Sequence, residues 1–224
     1  MSLFQKGKRF LASTYSNTVA KNLNIDDGVY QNKSAVPHYS ERCGWKQFGA
    51  KDASEYEYWW QEACGIVSLR MVMDALQPAN ATTQKTIFSQ IQDAIEGGAY
   101  LQKSVNGKTV RIGWIHAKLF AIAKQSGLKG YSAQLTINAI CQALLSDKLI
   151  IASVYRPFTR FIDEGAPRKK AGGHLVVVSG FTWAEGHCTG FFVADPYDEH
   201  ARNEPIERIL FEDIYSGSAI VFYE

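Results

Sequence analysis

Cys64 stands where a loop gives way to an almost wholly apolar run, Cys64-Gly-Ile-Val-Ser-Leu-Arg-Met-Val-Met73, and a thiol in that position suits nucleophilic chemistry. The first N–H groups of a helix have no intrahelical partner and carry its positive dipole end, which favours the reactive thiolate. A thiolate needs a base beside it. Far downstream, Ala171-Gly-Gly-His174-Leu-Val-Val-Val178 sets a histidine at the head of a strand that is apolar on both faces. A second apolar strand, Phe191-Phe-Val-Ala194, runs into Asp195, and Pro196 stops its ladder. The separations, 174 − 64 = 110 and 195 − 174 = 21 residues, suit groups that meet in space rather than along the chain. Together they form a Cys-His-Asp set for acyl transfer, with the thiol as nucleophile, the imidazole as base and then acid, and the aspartate fixing the tautomer.

With Val36-Pro-His-Tyr-Ser40 upstream, the motifs Ala63-Cys64-Gly65, Gly173-His174 and Asp195-Pro196-Tyr197 resemble the papain-like peptidases related to bacteriocin-leader-processing enzymes. The resemblance spans residues 36–224. It implies Cys64 as nucleophile, His174 as general base and acid, Asp195 as its orienter, and a thioester acyl-enzyme formed on a peptide or protein substrate without cofactor or metal. Two alternatives stay open: an acyltransferase using the same three residues, and an inactive peptide-binding module that keeps the fold.

The chain departs from this family at the oxyanion glutamine. Where relatives place it, six residues before the cysteine or after the early Tyr-Ser, this chain has Tyr58 and Glu41. Gln61, three residues before Cys64, is the preferred donor and Gln47 the reserve. Glu41 is a poor candidate: a neutral amide donates without charge repulsion, whereas a carboxylate there raises the barrier unless it is protonated.

The 24 basic and 22 acidic side chains leave a net charge of only +2, without the global basic field of a nucleic-acid binder. Four cysteines without Cys-x-x-Cys spacing read as reduced thiols rather than a disulfide framework. No apolar run approaches the ~20 residues of a membrane-spanning helix. The N-terminus lacks a signal-peptide pattern; a cytoplasmic protein and one exported after loss of such a signal both fit, and the oligomeric state is open.

Residues 1–35 are polar and aperiodic and read as an irregular arm; residues 36–224 read as one domain, long enough to bury a substantial core. Trp45, Tyr56, Tyr58, Trp59 and Trp60 crowd the approach to Cys64 and suit the wall of a cleft. Apolar spacing predicts a helix from Cys64 to Pro78, a second over Thr82–Ile95, a third over 111–126 from Ile112, Ile115, Leu119 and Ile122, and a short fourth carrying Ile137, Ile140, Cys141 and Leu144. Cys141 reads as a core thiol. Strands follow at Leu149–Tyr155, Leu175–Val178, Gly190–Ala194 and Ala219–Phe222, and Asn106-Gly107 marks a turn. The expected architecture is α+β, a papain-like helical layer packed on an antiparallel sheet with the site between them. The long Gly-, Pro- and Arg/Lys-rich connection 156–173 is expected to be mobile and to border the cleft.

Overall fold

A computed structural model of the protein describes residues 23, 25–77, 85–158 and 173–224. In chain order the elements are β1 (Gly28–Gln31), α1 (Trp45–Phe48), α2 (Ala53–Trp59), a 3-10 turn (Trp60–Glu62), α3 (Cys64–Leu76), α4 (Ile87–Glu96), β2 (Tyr100–Val105), β3 (Lys108–Trp114) and α5 (His116–Gln125). There follow β4 (Lys129–Gln134), α6 (Ile137–Leu145), β5 (Leu149–Val154), β6 (His174–Ala184), β7 (His187–Ala194), β8 (Ile206–Glu207), α7 (Arg208–Ile214) and β9 (Tyr215–Tyr223).

The central strands are apolar at successive positions, so both faces of their sheet must be covered. The sheet runs β4-β9-β5-β6-β7-β8, every pairing antiparallel, and β1 lies against the second half of β6. Side chains alternate across it. Leu149, Ile151, Leu175, Val177, Ile220 and Phe222 share a core with α3, α4 and α5. Their neighbours Ile150, Ala152, Val176, Val178 and Val221 pack with α6 and α7 on the other side. The expected helical layer is thus α3 with α4 and α5, and a second layer closes the opposite face. Helix α3 is buried along nearly its whole length, as its composition requires. Among the described residues no helix is long and apolar enough to cross a membrane.

Two local expectations change, while the expected turn holds. Residues 111–114 belong to a strand, and the helix begins only at His116. The Asn106-Gly107 turn, with φ of 51° and 73°, folds β2 onto β3, because two consecutive positive φ values match the twist of a two-residue hairpin. Ile112 is therefore exposed, while Leu119 and Ala123 make the buried face of α5. The second helix starts at Ile87 rather than Thr82, because the Thr86 hydroxyl caps it by accepting from the Ser89 N–H. Pro78 and residues 82–84 lie outside the described residues. Most of the 1–35 arm and the 159–172 part of the long connection do so as well; the described part of the arm supplies β1.

Candidate active site

Cys64, His174 and Asp195 each sit at an end of a secondary-structure element. Cys64 is the first residue of α3 and follows directly on the 3-10 turn. That turn is clamped by the hairpin: Tyr100 Oη donates to Glu62 at 2.5 Å, Arg111 pairs with the same carboxylate at 3.3 Å, and Trp114 Nε1 donates to the Glu62 carbonyl at 2.7 Å. Gly65 lets the Trp114 ring approach, since a Cβ there would meet it at 2.5 Å. The Ser68 hydroxyl donates to the Leu175 carbonyl at 2.9 Å and pins α3 to β6 one residue past His174.

His174 opens β6, and Asp195 immediately follows β7, its antiparallel neighbour. His174 Nε2 donates to Asp195 Oδ1 at 2.6 Å. Asp195 Oδ1 also accepts from the Tyr197 N–H at 2.9 Å, and Oδ2 accepts from the Phe158 N–H at 3.0 Å. Burial alone would raise this carboxyl. The His174 charge and these three hydrogen bonds overcome it and hold Asp195 below the usual carboxylate range. His174 is buried too, which by itself disfavours its charged form, but the Asp195 charge and hydrogen bond, with a further hydrogen bond to Cys64, raise it well above the ordinary imidazole value. Since Asp195 occupies Nε2, Nδ1 is the nitrogen left for the thiol.

A fourth group stands in the same place. A carboxylate oxygen of Glu41, the Cys64 sulfur and a His174 ring nitrogen all lie within 4.8 Å of one another. The Glu41 N–H donates to the Pro196 carbonyl at 2.8 Å, and its own carbonyl accepts from Tyr56 Oη at 3.1 Å. Glu41 is thereby fixed to the turn that carries Asp195. Its side chain is 2% exposed, and Oε2 has no hydrogen-bond partner among the described residues. Burial pushes its carboxyl up to about 8. The cluster offers three donor atoms where a closed structural zinc site uses four.

The structure thus brings together Cys64, His174 and Asp195, and adds Glu41. Gln61 sits in the 3-10 turn and Gln47 in α1, both exposed to solvent. Residue type hid Glu41. Its place after Tyr39-Ser40 marked it, but nothing in the sequence reports that the carboxyl is buried. Of the aromatics before Cys64, Trp60 meets the Tyr197 ring at 6.4 Å, whereas Tyr58 is largely exposed and lies under the Arg111 guanidinium. Cys141 and Cys188 are fully buried, and all four cysteines are free thiols.

Among known protein families, the one described as the Peptidase_C39 like family matches residues 46–218, a span that includes Cys64, His174 and Asp195. Comparison with curated proteins gives no match.

Proposed function

The chain belongs to the Peptidase_C39 like family, and on that premise we propose that it cleaves a peptide or amide bond through a thioester formed on Cys64. The fold is α+β and papain-like, and the family is cysteine peptidase-like. What carries the specific reaction is one arrangement: a histidine held by a buried aspartate at 2.6 Å, with a thiol at a helix start within 4.8 Å of its ring. His174 takes the proton of Cys64, and the sulfur adds to the substrate carbonyl. Collapse breaks the C–N bond as the amine leaves with the proton from His174. Water then attacks the thioester, His174 accepts its proton, and the acid departs as the thiol is restored. Asp195 stays ionised throughout and holds the imidazolium in place. The N–H of Cys64, in the first turn of α3, offers one donor to the oxyanion. The substrate is a peptide or protein.

Incubation with a broad peptide mixture, read by mass spectrometry, tests this. New termini should appear with the wild type and be absent with Cys64→Ala. Acyl-Cys64 that passes only to added amines or thiols would instead make the protein an acyltransferase, and neither products nor acyl-Cys64 would leave a binding module.

A further inference from the structure

Glu41 is the buried polar group that the thiol, imidazole and aspartate leave without a task. Its Oε2 is unpartnered among the described residues, and a carboxylate oxygen lies within 4.8 Å of the Cys64 sulfur. Two backbone hydrogen bonds, to Pro196 and from Tyr56, hold the residue so that its side chain stays in the site. Buried polar atoms are nearly always satisfied, so an orphan oxygen beside a nucleophile points to a bond made with substrate. An ionised carboxylate would repel a developing oxyanion, whereas a carboxylic acid has an O–H to give it.

We propose that Glu41 is a catalytic residue which, as a neutral carboxylic acid, donates its hydroxyl to the carbonyl oxygen that turns negative when the Cys64 sulfur adds. This rests on the acyl-transfer reading and supplies its second oxyanion donor. In the addition step the S–C bond forms and the carbonyl π pair moves onto oxygen, which accepts from Glu41 and from the first-turn N–H of Cys64. Glu41 keeps its proton. Collapse returns the electron pair, breaks the C–N bond and sends the His174 proton to the leaving amine.

The surroundings favour the neutral form. Burial is the largest influence on Glu41; the charges of Asp195 and Glu62 act in the same direction, and those of His174 and Arg42 oppose them. Cys64, and Tyr56 through its hydroxyl on the Glu41 carbonyl, are the further titratable groups against it. With its carboxyl pushed up to about 8, Glu41 is an acid at neutral pH and loses its hydroxyl in mild alkali. The donor is therefore switched off by base, unlike a glutamine.

The test uses p-nitrophenyl acetate, an unspecific acyl donor, and follows nitrophenol release together with the intact mass of Cys64-acylated protein. Cys64→Ala provides the blank. Glu41→Ala should acylate ~100-fold more slowly or worse. The ratio of Glu41→Gln to wild-type rate should rise about tenfold between about pH 7 and pH 9, as the wild type loses its acid and the amide does not. Infrared difference spectra of wild type minus Glu41→Gln should show a protonated-carboxyl band at about pH 6 that fades toward about pH 9. A flat rate ratio, an undiminished Glu41→Ala, or no such band overturns the proposal. If the wild type is never acylated at Cys64, the acyl-transfer reading itself fails and takes this role with it. Acylation that proceeds with a flat ratio removes Glu41 alone.

Discussion

Replacing Glu41 by glutamine should change how the stability of the protein depends on pH. In the unfolded chain this carboxyl titrates at the ordinary value of 4.5, and in the folded protein at about 8. Between those values the folded state holds a proton that the unfolded chain has released, so stability falls as pH rises. The contribution is complete below 4.5, declines through neutrality and levels off above 8. At about 1.4 kcal/mol per pH unit the whole window is worth about 5 kcal/mol, and about 3 kcal/mol is lost by pH 7. Glutamine has nothing to titrate. His174, raised, and Asp195, lowered, add slopes of their own in both proteins, so the difference reports Glu41 together with its coupling to those two charges. Urea unfolding followed by tryptophan fluorescence, repeated from about pH 5 to pH 9, gives that difference directly. Glu41→Gln should gain several kcal/mol on the wild type across the range. Two curves that run parallel within about 1 kcal/mol would mean that Glu41 is ionised in the folded protein, and the reasoning about its burial would be refuted.

Asp195→Asn should leave Cys64 open to alkylation but cut peptide cleavage by ~10³-fold or more, since the amide no longer fixes the imidazole tautomer or stabilises its charge; equal losses in both assays would contradict this. Gly65→Ala should displace the Trp114 ring, which a Cβ would meet at 2.5 Å, and lower both stability and Cys64 reactivity. An unchanged melting temperature and alkylation rate would show that the hairpin does not help set the nucleophile. Ser68→Ala removes the bond that ties α3 to β6 and should cost about 1 kcal/mol in urea unfolding, with cleavage falling more than stability alone explains.

The periodic elements were legible because burial imposes a spacing on sequence: α3, α6 and the doubly apolar β5, β6 and β7 announce themselves. The β2–β3 hairpin was not, since Ile112 and Ile115 stand three apart as on a helix, and only the pairing across Asn106-Gly107 decides between the two. Strand β4, Lys-Gly-Tyr-Ser-Ala-Gln, has no apolar alternation; its backbone bonds to β9 define it. Within the site, Cys64, His174 and Asp195 could be picked out because each terminates an element with a recognisable pattern. Glu41 could not. Its residue type argues for charge, and only the tertiary fold removes the water that would keep it charged.

Selective alkylation bears most directly on the claim that Cys64 and His174 act together. Cys64 is 4% exposed, Cys141 and Cys188 are wholly buried, and Cys43 is the most accessible of the four. Judged by access alone, Cys43 should react first. Iodoacetamide at about pH 6, with peptide mapping by mass spectrometry, should instead modify Cys64 well ahead of the other three, and His174→Ala should abolish that lead. If Cys43 reacts first, or if Cys64 keeps its rate without His174, the thiol is not activated and the cysteine is structural.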